Sequence, residues 1–548
     1  MDVLSSLPEI LITALAVATF FYLRRLGNNR KHPKNRPVPE IPGGLPLVGH
    51  LHLLAGNQTL ARTLGSFSDK YGTVFAVRLG ANTAVVVSDF ESMKQCFTTN
   101  DRVLATRPDS VQAKMLSYDK TVFGFAPYGA YLRDIKRILM NEVLALHRVR
   151  ALRHVRVSEL DLLVRDLYQR SRSQKLKSAV TEPNTSGSVT VSQGEGKAVV
   201  ISEAVHSYVL NIITRIVAGK RYFGGGGGCT DDGRPISEVI KEFTLVMGTL
   251  VPSDLIPILG WVLPQGTVKA MKRVFKELDL VMEGWIDEHK KKKREKKEPM
   301  LTDNDDDEVN QDLIDVMLSE IKDDVVHGHK RETIIKATAL SVIVAGAETS
   351  AITLTWVLAN LLNHKRVLKL AQEEIDSKVG KDRWVEDSDI ESLPYLGAVI
   401  KETFRMYPPG PLSFPREASE DITIRGYHVP KGTRFFANFW KLHRDPKVWS
   451  DPDQYRPERF LTTNANVEVF GHQFEYLPFG SGRRGCPGIN LGMQITQLTL
   501  ARLVQGFLWS APEDRPVDMT EGLGLALPKA SPLEAVLTPR LSPHLYTA

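Results

Sequence analysis

Residues 3–23 read VLSSLPEILITALAVATFFYL, and at about 1.5 Å per residue a helix of that length reaches about 30 Å, the thickness of a bilayer core. This stretch constrains the chain most, because it commits one end to a membrane. Pro8 and Glu9 interrupt it and leave Ile10–Leu23 unbroken. A cleaved signal peptide carries its basic residues first; here Asp2 and Glu9 come before the apolar run and the arginines and lysines come after it. The positive-inside bias then places everything beyond Arg24 in the cytosol, and residues 1–23 are read as a retained transmembrane signal anchor.

Charge supports the same division. Arg24, Arg25, Arg30, Lys31, Lys34 and Arg36 fall together without an acid, and they match the whole excess of 70 basic over 64 acidic residues, +6. The rest of the chain is therefore near neutral, which excludes a nucleic-acid-binding body with a basic working face. PVPEIPGGLPLVGH over 37–50 resists helix and reads as a stiff spacer, so residues 24–50 form a basic stop-transfer segment and hinge. Residues 51–548 remain as the cytosolic domain, and 42% hydrophobic residues give the chain enough to build a large core. Its three cysteines, Cys96, Cys229 and Cys486, are too few and too scattered for a disulfide framework or a zinc cluster.

Along the body, ARTLGSFSDKYG reads as an amphipathic helix, and TVFAVRLG and TAVVVSDF as two strands joined at Gly80, Ala81 and Asn82. Thr106–Tyr131 shows little periodicity and reads as a long loop. Helical periodicity then dominates to Met406, broken by the glycines 224–228 and the lysine-to-aspartate stretch 290–308, both read as solvated loops. The apolar, proline-broken stretch Phe243–Pro264 is not a single spanning helix; core and a second membrane-touching patch both remain open for it.

Chemistry concentrates in Phe479–Gly488, FGSGRRGCPG, ahead of a helix-compatible run from Ile489. Glycines allow a loop to press against a flat ligand, while peptide N–H groups and the positive end of a following helix favour Cys486 as a thiolate. Glu402 and Arg405 lie three apart on a predicted helix ending at Pro408 and Pro409, a spacing that sets both on one face. Glu348, Thr349 and Ser350 interrupt the apolar helix Ile334–Leu362, where an acid and hydroxyls are costly unless satisfied.

These segments resemble, in order, the motifs of the cytochromes P-450. Phe479, Gly482, Arg484, Cys486 and Gly488 fill the pattern F-x-x-G-x-R-x-C-x-G, the haem loop of that family. The resemblance makes Cys486 the iron ligand, sets Phe479 and Gly482 against the cofactor as binding residues, and has Arg484 meet a haem propionate. Pro457–Phe460 (PERF) looks like the segment whose arginine completes a buried triad, here Glu402, Arg405 and Arg459, with a structural role. Ala345–Ser350 resembles the oxygen-activation segment; Thr349 then serves dioxygen activation and Glu348 relays protons, while small Ala345 and Gly346 leave a groove. One departure stands out: where the family has a tryptophan and an arginine bonding a propionate, this chain has Leu132 and Lys136. Arg416 is the better propionate partner by family position, with Lys136 as a second.

KYGTVFAVRLG, CFTTNDRVLATRP, VFGFAPYG and AGKRYFG look like plant members, most of all family 82. The resemblance implies a mainly α fold with small β-sheets, a triangular helical body holding haem b between the long central helix and the cysteine loop. It implies dioxygen, a lipophilic small-molecule substrate such as a flavonoid, alkaloid or terpenoid, and residence in the endoplasmic reticulum membrane. No dinucleotide-binding G-x-G-x-x-G stands between strand and helix, so NADPH enters only through a partner reductase. By family position Phe123, Ala345, Leu412, Phe414 and Leu525 line the substrate pocket. Two other readings compete with a monooxygenase: a haem-thiolate isomerase or dehydratase needing no reductase, and a non-catalytic membrane haem protein.

Overall fold

A computed structural model describes residues 36–179, 198–223, 228–230, 233–247, 251–256, 266–295, 311–524 and 526–547. The anchor 1–23, the basic block up to residue 35, glycines 224–227 and most of the 290–308 loop lie outside the described residues. The chain divides into two compact units. One comprises 1–108, 250–264 and 412–441, and the other 109–249, 265–411 and 442–548.

The first unit is organised by a four-stranded sheet. Helix α1 (Leu60–Tyr71) leads into β1 (Val74–Leu79) and β2 (Asn82–Val87), the elements expected from the local pattern. Runs of valine suit a pleated, doubly covered surface. β1 and β2 pair antiparallel with Phe75 opposite Val86; β4 (Arg434–Ala437) runs parallel to β2, and β3 (Arg416–Glu417) closes the sheet on β4. Ile41, Leu64, Phe75, Val77, Ala84, Val86 and Phe436 form the core beneath, and Leu412 packs against it. Helix α2 (Phe90–Phe97) starts on the Asp89 carboxylate, which accepts from Ser92 N–H.

The proline-rich segment, expected as a stiff spacer, is bonded to the sheet. Ala76 N–H donates to Pro39 O at 2.8 Å and Ile41 N–H to Ala76 O at 3.1 Å, so residues 39–41 are strapped onto β1. His50 is fully buried, accepts from Arg78 N–H at 2.8 Å through Nδ1 and donates from Nε2 to Ile41 O at 2.9 Å. Gly49 has φ 63°, and a Cβ there would strike the Arg78 carbonyl. Hydrogen-bond closure, invisible in composition, makes 37–50 part of the first unit.

The second unit is helical. Helices α3 (Ala130–Ile138), α4 (Ile201–Ala218), α5 (Gly266–Glu295), α6 (Arg331–Asn363), α7 (Pro394–Met406) and α8 (Ile489–Gly506) supply its site-bearing elements. The expected 106–131 loop contains a short helix, Val111–Met115, capped by the Ser110 hydroxyl. Helix α6 is long and apolar enough to cross a membrane, yet 72% of its most apolar window is buried, which marks it as a core helix. Its buried polar groups bond back to the preceding turn: Thr338 to Ile334 O, Thr355 to Ala351 O and Asn360 to Trp356 O, each at 2.8 Å. Gly346 lets α6 approach α4, since a Cβ would sit 3.0 Å from Ile213 Cδ1. Its smallness serves helix packing and not the expected open groove. In the Phe243–Pro264 stretch, Phe243, Met247 and Val251 are buried, Leu245 is exposed, and 257–264 lie outside the described residues.

Candidate functional site

Gly480 and Gly482 adopt φ 66° and 70°, conformations open to glycine, and turn the chain between Phe479 and Cys486. Cys486 N–H donates to Phe479 O at 3.0 Å and closes the loop, while Gly488 N–H donates to Cys486 Sγ at 3.3 Å as α8 begins. All three described cysteines are free. Part of the Cys486 surface is open, yet protein surrounds the sulfur closely enough that burial pushes its thiol above the ordinary value; the Gly488 N–H and the Lys136 charge pull the other way. Its protein neighbours alone therefore favour the thiol, and a metal cation bonded to sulfur reverses that preference.

Basic residues clamp the loop. Lys136 on α3 donates to Arg483 O at 3.0 Å, and Arg483 Nε donates to the Tyr128 hydroxyl at 2.9 Å. Arg484 donates from Nη1 to Phe123 O at 3.2 Å and from Nη2 to Ala126 O. The Phe123 peptide in turn donates its N–H to Ser341 Oγ on α6 at 3.1 Å. One backbone unit thus joins the cysteine loop to the long helix. Leu132 is buried within α3 at 1% exposure.

Beyond its first turn, helix α6 is exposed at Ala345 and Thr349, one turn apart. The Thr349 hydroxyl donates to Ala345 O at 2.6 Å, and its own oxygen keeps acceptor capacity on the open face. Glu348 is half-buried beside this face, its Oε2 3.6 Å from His206 Nε2 on α4. His206 carried no signal in the sequence; only helix packing reveals it.

Glu402, Arg405 and Arg459 meet with no exposed surface. Arg405 donates Nε to Glu402 Oε2 at 2.8 Å and Nη2 to Oε1 at 2.9 Å; Arg459 Nε donates to Oε1 at 3.2 Å and Arg456 N–H at 2.8 Å. The remaining guanidinium N–H groups find carbonyls, among them His443 O at 2.8 Å and Pro452 O at 2.7 Å. Phe404, beside this cluster on α7, packs edge-on against Phe479 at 5.1 Å, so the triad helix touches the cysteine loop directly.

Arg416, Leu412 and Phe414 belong to the first unit. Arg416 is 3% exposed, stacks over Phe97 at 4.7 Å and lies 3.8 Å from Asp101, with Nε and Nη1 lacking hydrogen-bond partners. Burial pulls its guanidinium down to about 10, opposed by Asp101. Phe414 lies under the Arg107 guanidinium at 5.0 Å and its carbonyl accepts from Arg107 at 2.8 Å; Leu412 bridges to Asn438. Leu525 lies outside the described residues. The one His/Asp cluster of ligand-like spacing among the described residues, His289 with Asp312 and Asp315, is an ion pair: Nδ1 faces Trp285 O at 2.6 Å and Nε2 faces Asp312 Oδ2 at 2.8 Å, so both ring nitrogens donate and neither has a lone pair for a metal.

This donor set fits a haem. One sulfur stands on a glycine-shaped loop with a single N–H bond, and basic side chains lie about that loop. A mainly helical body with a cysteine loop before a helix and a hydroxyl-bearing long helix is the arrangement expected of a haem-thiolate oxygenase. The Cytochrome P450 family profile matches residues 39–533, and the chain belongs to the cytochrome P450 family. Within it the chain is similar to plant members of family 82: 45% identical to the xanthotoxin 5-hydroxylase CYP82C4 of Arabidopsis thaliana over 96% of this chain and 97% of the relative. It is 42% identical to the strychnine-10-hydroxylase of Strychnos nux-vomica (98% and 97% covered) and 40% to the nicotine N-demethylase CYP82E3 of Nicotiana tomentosiformis (98% and 99%). A zebra fish cytochrome P450 solved with progesterone superposes with a TM-score of 0.67 at 25% identity, covering 88% of this chain and all of that one. The protein is a cytochrome P450 monooxygenase, and family membership implies a haem-thiolate cofactor, a substrate, dioxygen and a reductase.

Proposed function

We propose that the protein oxidises a lipophilic plant specialised metabolite, drawing electrons from NADPH through a separate cytochrome P-450 reductase at the endoplasmic reticulum membrane. The observation that carries this reading is the open Ala345–Thr349 face on a mostly buried helix, tied through Phe123 to the loop that presents Cys486. The relatives' substrates by their names, xanthotoxin, strychnine and nicotine, support a lipophilic plant metabolite; the position of attack and the product stay open between hydroxylation and demethylation.

In this reading Cys486 Sγ holds the iron of haem b, which supplies oxygen activation when bound. Arg416 offers its orphaned N–H groups to a haem carboxylate, on the strength of the first unit alone. Lys136 takes the place of the family's arginine, while Leu132 supplies apolar packing where a tryptophan would donate. Arg484 serves the cofactor while clamping Phe123 and Ala126. Thr349 presents a hydroxyl oxygen that accepts a proton-bearing partner, and Glu348 with its carboxylate beside it relays protons from solvent. Glu402, Arg405 and Arg459 hold the fold beneath the loop. Phe123 and Ala345 border the substrate. Residues 1–23 anchor the chain and leave the body cytosolic.

A reductase-independent isomerase or dehydratase has less use for an acid beside a threonine, and the Glu348–Thr349 pair weighs against it. The test is the spectrum of dithionite-reduced, carbon-monoxide-treated membranes. A red-shifted thiolate Soret band is expected, and it should vanish in Cys486→Ala. NADPH-dependent product should then require added reductase. Turnover of substrate without reductase would establish the isomerase reading in place of this one.

A further inference from the structure

Sequence reasoning gave no role to His443, which is fully buried between the triad and the cysteine loop. Its backbone carbonyl accepts from Arg405 Nη1 at 2.8 Å. Its ring accepts, at Nε2, the N–H of Leu477 at 2.9 Å. An amide nitrogen only donates, so Nε2 must carry the lone pair and Nδ1 the proton. Nδ1 makes no hydrogen bond of ordinary geometry and faces the carbonyls of Phe404 and Arg405, at the electron-rich end of α7. Leu477 then accepts from Gly480 N–H at 3.1 Å, and Phe479 O accepts from Cys486 N–H at 3.0 Å. Hydrogen bonds to the backbone and to the ring of His443, joined by the covalent chain at His443 and Leu477, therefore link the Glu402–Arg405 pair to the peptide of the cysteine.

We infer that His443 is a positioning residue whose imidazole sets the register of the cysteine loop against the buried triad. Burial, followed by the charges of Arg405 and Arg444, holds the ring down to about 3, so the acceptor at Nε2 persists across the physiological range. Two other contacts join the same elements: the Phe404–Phe479 ring pair, and the Tyr476 hydroxyl donating to Lys401 O at 2.7 Å. They keep the elements together but supply no partner for the Leu477 N–H. Leu477 is fully buried, so without the imidazole its N–H has no acceptor and no water.

The test uses the full-length protein in membranes or detergent, as His443→Phe and His443→Gln. Phenylalanine keeps the ring volume and removes the acceptor; glutamine returns an oxygen near the place of Nε2. In the parent, the Leu477 amide is expected among the slowest to exchange with deuterium. In His443→Phe it should exchange at least about tenfold faster, the factor equivalent to about 1.4 kcal/mol. The carbon-monoxide spectrum of the same variant should move in part from the thiolate band to that of a neutral ligand, and His443→Gln should restore both readouts. Exchange within about twofold of the parent in His443→Phe, or failure of His443→Gln to recover what His443→Phe loses, overturns the proposal. Should His443→Phe not fold, rapid exchange of Leu477 in the parent does the same. The spectral arm rests on Cys486 as the haem ligand and the exchange arm does not, so a parent without a thiolate band refutes that ligand assignment while leaving His443 to be judged by exchange.

Discussion

Replacing Glu402 by glutamine removes the one anion in a site that holds two buried guanidinium groups. The carboxylate now accepts four N–H bonds, from Arg405 Nε and Nη2, Arg459 Nε and Arg456 N–H, at 2.8–3.2 Å. Glutamine keeps the shape but offers a single acceptor oxygen, and its NH2 group faces N–H donors. Breaking a buried, hydrogen-bonded pair from one side costs about 3–5 kcal/mol, because the remaining charge cannot reach water. The site here has two such charges, which places the expectation toward the upper part of that range. Urea unfolding followed by tryptophan fluorescence reads it well, since Trp449 is fully buried with the Arg405 guanidinium 5.5 Å above its ring. Glu458→Gln serves as the control: that acid pairs with Arg366, which is 73% exposed, and should change stability by less than about 1 kcal/mol. A Glu402→Gln protein that unfolds within about 1 kcal/mol of the parent would refute the reasoning, because the carboxylate would then contribute no more than a surface pair.

Thr349→Ala should retain haem and fold while product per NADPH falls and peroxide rises; an unchanged product-to-NADPH ratio removes the threonine from proton delivery. On the proposed reading of Arg416 as a haem partner, Arg416→Met should release haem at least about tenfold faster, measured by transfer to apomyoglobin; equal retention would show that the orphaned N–H groups serve something else. Two buried histidines should act in opposite directions with pH. His443 is held neutral, so the unfolded chain takes up its proton first, and its stabilisation is lost as pH falls from about 6.5 toward about 3, at about 1.4 kcal/mol per pH unit. Against burial, which favours the neutral ring, Asp312 raises the pKa of His289, so that contribution is complete below about 6.5 and fades as pH rises through the folded value. Stability profiles of His443→Gln and His289→Gln should lose the acid and alkaline slopes respectively, and a parallel shift of the whole curve would contradict both assignments.

The cysteine loop was legible because its chemistry is local: glycines at positive φ, a cysteine and a following helix lie within one short segment. Helices α1 and α6 and the hairpin of β1 and β2 were legible for a similar reason, since the periodicity of 3.6 or 2 is a property of neighbours along the chain. Gly346 shows where such reading stops. Small residues near a threonine suggested an open groove, but the space at Gly346 is filled by Ile213, which is distant in sequence. The 37–50 segment shows it again, because proline and glycine predict an extended backbone without saying whether a strand lies beside it.

The sequence by itself determined the family of reactions, through Cys486 and the motifs in register with it, and the expectation of a membrane-tethered helical protein. Tertiary structure alone decided the partners: that Phe123 links the loop to α6, that His206 faces Glu348, that Arg416 keeps orphaned donors, and that His443 lies between triad and cysteine. The physical reason is that hydrogen bonds and ion pairs depend on distances of about 3 Å, and between residues well separated along the chain only the packed fold sets such distances.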